Sequence, residues 1–255
     1  MKKQSLYPIL TVLVTLITIT VNVLANALPL NGQGTGEISD QFAIYFVPAG
    51  YVFSIWGIIY LGLIGFTIYQ ALPGQRGNPL IEKISPAYWI GNLANTVWIF
   101  LWHYEFFSLT LFAMLTLLGA LLYIYVQVSR SKGMTALQTW LVKYPFSLYL
   151  GWISVATIAN ISQVLFFFDW GGFGVAPEAW AVIMLAIAAL LGLIFYGRER
   201  DWLYVLVLVW AFVGIAQKQS FSQPVSITAW TATGILALAL FAVPLLMSRT
   251  ALKTS

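Results

Sequence analysis

Residues 144–168 read YPFSLYLGWISVATIANISQVLFFF, a run of 25 residues without a single charged side chain. A helix needs roughly 20 mostly apolar residues to cross the hydrocarbon core of a bilayer. The run is therefore long enough and apolar enough to span a membrane. Its few polar residues, among them an asparagine and a glutamine, need partners inside a protein because lipid offers none.

The composition of the whole chain agrees with this stretch. The 255 residues are 60% hydrophobic and only 8% charged, with a mean hydropathy of +0.87. A soluble globular protein carries about 25% charged residues. So few charged side chains cannot cover the surface of a water-soluble particle of this size, which excludes a soluble protein. The chain has no cysteine, which excludes disulfides and thiolate metal sites.

Further apolar runs flank this one on both sides, and loop signals rich in glycine, proline and asparagine separate them. The predicted spans are 6–28, 47–71, 86–104, 107–129, 144–168, 178–196, 202–217 and 224–247. The sequence therefore predicts an all-α, polytopic transmembrane helical bundle of about eight helices.

The start of the chain also has features of a secretory signal. Met1-Lys2-Lys3, an apolar run and Ala25-Asn26-Ala27 imitate such a signal and its cleavage site. The apolar run is longer than a usual signal core, and Asn22 and Asn26 suggest packing against other helices. We expect an uncleaved first helix.

The basic residues predict the orientation of the spans. With a cytoplasmic N-terminus, eleven Lys and Arg residues fall in inner segments and only Lys218 falls outside. Cytoplasmic loops carry such an excess of positive charge. We therefore expect an integral protein of the plasma (inner) membrane with both termini in the cytoplasm. Because the loops account for the net charge of +4, the predicted partner is the lipid bilayer and not a nucleic acid.

Signatures of soluble enzymes are missing from the sequence. There is no phosphate-binding glycine loop and no zinc-ligand spacing, and His103 is the only histidine. His103 and Glu105, at the outer end of the third span, form either a proton-moving pair or an ordinary polar collar. The spans contain essentially no ionisable residue, which disfavours a proton-driven pump. No catalytic residue, metal ion or cofactor is predicted.

Aromatic and amide side chains form stripes on three spans. In the fifth span, Tyr149, Trp152, Ala156, Asn160 and Gln163 follow at intervals of 3, 4, 4 and 3, which places them on one face of a helix. Similar stripes are Phe53, Trp56, Tyr60 and Leu63 on the second span, and Asn92, Asn95, Trp98 and Trp102 on the third. Such inward faces are either contacts that hold helices together or the wall of an aromatic pocket. Their convergence below the glycine-rich outer loop 29–46, a candidate lid, favours the pocket.

These residues resemble the TspO family, the tryptophan-rich sensory proteins that include the mitochondrial translocator protein. The segment from Trp152 to Asn160, WISVATIAN, is similar to the family pattern W-x-S-F-A-T-x-L-N of the fifth helix. Asn95-Thr96-Val97-Trp98 is similar to the third-helix N-x-x-W, and the run from Pro48 to Tyr60 resembles the opening of the second helix. The resemblance covers residues 6–168.

The sequence also departs from the family pattern. Ala49 stands in place of the second proline of the second helix, and no basic residue follows between Ile161 and Trp170, so cholesterol binding is not implied. The family has five helices, whereas this chain continues with three more. We therefore expect a TspO-like five-helix membrane core at 1–174 and three additional helices with a C-terminal tail at 175–255.

The resemblance implies a cavity that binds tetrapyrroles of the porphyrin type or other aromatic ligands, in a protein that acts as a sensor or regulator. The expected ligand-binding residues are Phe53, Trp56, Tyr60, Asn95, Trp98, Tyr149, Trp152, Ala156 and Asn160. One alternative is an eight-helix transporter of a small hydrophobic molecule. Another is a tetrapyrrole-degrading enzyme that uses Trp56 and Trp152, which is disfavoured because no acid–base machinery is visible. The sequence permits a homodimer.

Overall fold

The computed structural model of the protein describes residues 3–251, and the side chains of residues 6–242. This part of the chain is helical and contains no strand. The helices are α1 (Lys3–Ala27), α2 (Thr35–Asp40), α3 (Ile55–Ala71), α4 (Pro79–His103), α5 (Phe107–Arg130), α6 (Ala136–Gln138), α7 (Tyr144–Phe167), α8 (Pro177–Glu199), α9 (Trp202–Lys218) and α10 (Gln223–Ala251). Short 3₁₀ turns lie at Leu30–Gly32, Gly50–Ser54, Pro73–Gln75 and Gly172–Gly174, and one π-helical turn, Thr139–Lys143, leads into α7.

Within the described residues, eight helices have 17 residues or more, and each coincides with one of the eight predicted spans. In the described part of the chain, six candidate spans are long and apolar enough to cross a membrane by length and composition; α9 is apolar but shorter, and α4 is not among the six. The all-α, polytopic helical bundle is thereby confirmed.

Two boundaries differ from the predicted spans. Helix α4 begins at Pro79, because the Asn78 side chain accepts hydrogen bonds from the backbone N–H groups of Leu80 and Ile81 and Pro79 occupies the first helical position. The second span begins later than expected. Its regular α-helix starts at Ile55, after a 3₁₀ turn at Gly50–Ser54.

The chain divides into two compact units. The five-helix unit comprises the chain up to Ala43 together with Phe53–Trp170, and the three-helix unit comprises Ile44–Val52 together with the chain from Gly171 onward. The nine residues Ile44–Val52 thus belong with the C-terminal helices, although they lie in sequence between α2 and α3.

In the five-helix unit, the long helices close into a ring. Helix α1 packs against α4, α4 against α5, α5 against α7, α7 against α3, and α3 against α1. Buried polar side chains on one face of α1 join it to its neighbours. We call this face the polar seam; it consists of Thr11, Thr15, Thr18 and Asn22, each at most 5% exposed.

The polar seam bonds to α3 and α4. The Thr15 hydroxyl lies 2.6 Å from the Tyr88 hydroxyl and 2.9 Å from that of Thr67. Farther along α1, Asn22 donates a 2.7 Å hydrogen bond to the Asn95 side chain. Three helices are therefore fixed in register by directional contacts and not only by packing.

The three-helix unit is built differently. Helices α8, α9 and α10 each pack against the other two. Gly192 of α8 is the point of close approach, since a β-carbon there would lie 2.6 Å from Leu208 of α9 and 3.3 Å from Leu236 of α10. Ala188 and Ala189 are buried on the same helix. Small residues let these helices approach closely.

Candidate ligand-binding site

Helices α3 and α7 run antiparallel at very short range. A β-carbon at Gly62 would lie 3.1 Å from Cβ of Pro145, and one at Gly65 would lie 3.2 Å from Leu141. Any side chain at these two positions would press on α7 or on the π-helical turn that leads into it. The two glycines therefore permit the approach that brings the aromatic residues near the start of α3 against the middle of α7.

Five aromatic rings meet there, and we call them the aromatic cluster: Phe53, Trp56, Tyr60, Tyr149 and Trp152. The rings of Trp56 and Trp152 have centroids 6.2 Å apart and stand nearly perpendicular, at 83°. Phe53 meets Trp152 edge to face at 5.6 Å, and Trp56 meets Tyr149 at 5.7 Å. Trp56 also stacks on Tyr60 at 5.4 Å. These are the offset and edge-to-face arrangements that aromatic pairs prefer.

One side of the aromatic cluster is closed and the other is open. Tyr149 and Trp152 of α7 are each 2% exposed, whereas Trp56 and Tyr60 of α3 and Phe53 in the turn before it are only half-buried. The indole Nε1 of Trp152 is buried and has no hydrogen-bond partner. A buried donor without an acceptor is uncommon, and it lowers stability unless something else accepts its proton.

The two expected asparagines are occupied by protein partners. Asn95 accepts from Asn22 and donates a 3.0 Å bond to the Tyr149 hydroxyl, so it links α1, α4 and α7. Asn160 accepts from the Trp98 indole at 3.4 Å and donates to Thr110 at 2.9 Å. Both amides hold the frame of the site, which is the helix-joining role that the sequence left open for them.

The remaining two expected residues lie outside the aromatic cluster. Trp98 stacks on Trp102 at 5.1 Å with the rings only 15° from parallel, so it belongs to a second aromatic group on α4. Ala156 lies one turn after Trp152 on the same face of α7 and is half-buried. Its side chain is a single methyl group.

The first loop, up to Ala43, is folded onto the end of α4. The buried His103 ring lies 3.0 Å from the Thr35 hydroxyl and 3.1 Å from the Leu30 carbonyl oxygen. Phe42 packs edge to face on Phe107 at 4.9 Å. His103 therefore anchors the loop to α4, so the polar-collar interpretation accounts for its contacts.

The sequence also matches a known family. A model of the TSPO-like protein family matches residues 8–242, most of the chain. The chain belongs to the TSPO-like protein family. The match runs past residue 168, the end of the resemblance found in the sequence, and covers the region of the three C-terminal helices. A search of curated proteins and a search of solved structures each found no match.

For this TSPO-like protein, family membership and the apolar helices together establish an integral membrane protein. Within the described part of the chain, no three His, Asp or Glu side chains come close enough together to hold a metal ion. What the aromatic cluster offers chemically is a stacking surface and a buried indole donor, Nε1 of Trp152, without a partner.

Two features of the TSPO-like site were not expected from the sequence. One is the polar seam on α1, whose spacing of 4, 3 and 4 residues marks a single helix face. The other is the pair Gly62 and Gly65, a small-residue pattern typical of closely packed membrane helices. Both patterns can be seen in the sequence. Each indicates which face of its helix packs against another helix, but not which helix that is.

Proposed function

We propose that this TSPO-like membrane protein binds a flat, aromatic ligand of the porphyrin type against the aromatic cluster, and that it acts as a sensor or regulator. The residues expected to form the ligand-binding site are Phe53, Trp56, Tyr60, Asn95, Trp98, Tyr149, Trp152, Ala156 and Asn160. Within this set, the half-buried rings of Phe53, Trp56 and Tyr60, together with the face of α7 at Trp152 and Ala156, contact the ligand. Asn95 and Asn160 act by keeping the helices in place.

The observation that carries the proposal is the Trp152 indole. It faces Trp56 at a ring distance of 6.2 Å, and its buried Nε1 has no acceptor. A buried donor left unsatisfied costs about 1–3 kcal/mol. A ligand with an acceptor nitrogen or carboxylate at its edge removes that cost when it binds.

Stacking supplies the second part of the affinity. An aromatic pair is worth about 0.5–1.5 kcal/mol beyond the area that it buries. Porphyrins offer a large flat face together with ring nitrogens and carboxylates, so they match both features of the aromatic cluster. The small Ala156 side chain leaves space for such a face beside Trp152.

Titration of the purified, full-length protein with protoporphyrin IX tests the proposal. The absorbance of the porphyrin is the signal, so that removal of a tryptophan does not alter the readout. We expect Trp152→Phe to weaken binding several-fold, Trp152→Ala to weaken it more, and Ala156→Leu to weaken it comparably by filling the space.

Trp230→Phe is the control, because Trp230 lies on α10 and is 48% exposed. It should leave the affinity unchanged. Equal affinities in the wild type, Trp152→Ala and Ala156→Leu, with all three proteins folded, would show that the aromatic cluster only holds helices together.

A sensor neither moves nor consumes its ligand. Protein reconstituted into liposomes should therefore leave the internal porphyrin concentration at the level of empty liposomes, and the porphyrin spectrum should be unchanged in light and in darkness. Protein-dependent flux would favour the transporter. Protein-dependent loss of the porphyrin would favour the degrading enzyme.

The orientation in the membrane is part of the proposal. Eleven Lys and Arg residues lie in segments that the alternation of spans assigns to the cytoplasm, which supports cytoplasmic termini in a plasma membrane. Reporter fusions after Arg76, Arg130 and Arg198 should read cytoplasmic, and a fusion after Gly171 should read external. A C-terminal reporter found outside would contradict this orientation.

A further inference from the structure

Residues Ile44–Val52, which we call the strap, are bound along α9 within the three-helix unit. Hydrogen bonds join Gln219 to the Ile44 carbonyl (3.1 Å), the Ala49 N–H to the Gly214 carbonyl (3.1 Å), the Tyr51 hydroxyl to Gln217 (2.8 Å) and the Trp210 indole to the Val52 carbonyl (3.0 Å). The strap is therefore held at both ends and in the middle.

Gly214 lets the strap reach the surface of α9. A β-carbon at this position would overlap Cγ2 of Val52 and would lie 3.2 Å from Cβ of Pro48. Val52 is fully buried in this contact. Glycine is unfavourable inside a helix, so its presence in the middle of α9 is explained by the close approach of the strap.

Trp210 fixes the last residue of the strap. Its indole donates to the Val52 carbonyl, and that carbonyl shares a planar peptide group with the N–H of Phe53. Holding the oxygen of this group therefore also restrains the nitrogen of Phe53. Phe53 is the first residue of the aromatic cluster, 5.6 Å from the Trp152 ring.

We propose that Gly214 and Trp210 are positioning residues for the ligand site. By binding the strap, they set where the first turn leading into α3 lies, and with it the positions of Phe53 and Trp56. The three C-terminal helices thereby control the affinity of the aromatic cluster for its ligand through the chain itself. This inference rests on the proposed function, since it concerns the same site.

A size exchange across the Gly214–Val52 contact tests the proposal in the full-length protein. Gly214→Ala adds the overlapping β-carbon, and Val52→Ala removes the methyl group with which it collides. We expect Gly214→Ala alone to weaken protoporphyrin IX binding several-fold, and the double variant to return close to the wild-type affinity. Gly234→Ala is the matched control, because Gly234 lies inside α10 with open space around it.

A second readout needs no ligand. Hydrogen–deuterium exchange of the backbone should rise several-fold at 53–60 in Gly214→Ala, stay unchanged at 144–160, and fall back in the double variant. Trp210→Phe, which removes the indole donor together with part of the ring and adds no atoms, should raise exchange in the same peptide. If Gly214→Ala fails to fold, the exchange at 53–60 in Trp210→Phe tests the positioning role instead.

The two readouts separate this inference from the proposed function. If the wild type binds no protoporphyrin IX, the proposed function fails, and the exchange pattern alone decides the role of the strap. Faster exchange confined to 44–52 and the C-terminal helices, with 53–60 unchanged, overturns the positioning role. Unchanged porphyrin affinity in Gly214→Ala and Trp210→Phe, in a wild type that binds, overturns it as well.

Discussion

The two compact units hold their helices together in different ways. In the five-helix unit, buried hydroxyl and amide groups bond across helices, as at Thr15, which meets Tyr88 and Thr67 within 2.9 Å. In the three-helix unit, the buried residues of α9 are apolar apart from Tyr204, and α8 reaches its neighbours through Gly192. The helices of the five-helix unit are thus joined by buried side-chain hydrogen bonds along their length, whereas hydrogen bonds between the helices of the three-helix unit, such as Ser226 to the Ala216 carbonyl, lie near the helix ends.

The difference can be related to the half-buried aromatic side chains of the five-helix unit. In lipid there is no hydrophobic force that draws helices together, so association depends on hydrogen bonds and on close packing. Phe53, Trp56 and Tyr60 are only half-buried, so the helices of this unit pack less completely around them. Hydrogen bonds such as Asn95 to Tyr149 keep those helices in register beside the site. The three-helix unit, in contrast, is bonded near its helix ends and packs closely in between, at Gly192.

The largest effect is expected from truncation of the chain. A chain that ends at Ser131 lacks α7, which closes the ring between α5 and α3 and supplies the partners of Asn95 and Thr110. We expect it not to give a monodisperse, helical protein in detergent. A chain that ends at Gly174 keeps the whole ring. We expect it to give a monodisperse, helical protein, as judged by size-exclusion chromatography and circular dichroism.

The outcome that would contradict this comparison is equal behaviour of the two truncated chains. If both aggregate, the five-helix unit depends on the C-terminal helices for folding. If both are monodisperse and helical, the contacts of α7 are not needed to hold the ring, and the role given to Asn95 and Thr110 is wrong.

The sequence predicted the helices well because the bilayer imposes a length and an apolar composition on each of them. It also identified the stripes of α3 and α7 whose rings meet at Trp56 and Trp152, since helical spacing reveals a face. It did not predict which face meets which partner. The strap shows this limit, because nothing in Ile44–Val52 indicates that its partner is Gly214, more than 160 residues later.

Gly192→Val should lower the stability of the three-helix unit. The new side chain would collide with Leu208 and Leu236, and overpacking of this kind costs about 1–3 kcal/mol. Gly197→Val is the control on the same helix, since Gly197 is exposed and has open space around it. The midpoint of unfolding in detergent measures both. Equal midpoints would mean that α8 does not need this close approach.

The smallest expected effect, and the sharpest test of the comparison, comes from removing one hydroxyl. Thr15→Val keeps the shape of the side chain but takes away the partner of Tyr88 and Thr67 in the polar seam. Hydrogen bonds between membrane helices are worth about 0.6 kcal/mol on average, with a maximum near 1.7. Because two interhelical contacts are lost together, we expect a loss of about 1–2 kcal/mol in the free energy of unfolding.

Thr116→Val is the matched control for Thr15→Val. Thr116 is exposed, and its hydroxyl bonds only within α5, to the Phe112 carbonyl, so its replacement should change stability by less than about 0.5 kcal/mol. The difference between the two variants isolates the interhelical bonds, because the chemical change is the same. If the two variants lose the same stability, the polar seam contributes no more than an exposed threonine, and packing alone accounts for the stability of the five-helix unit.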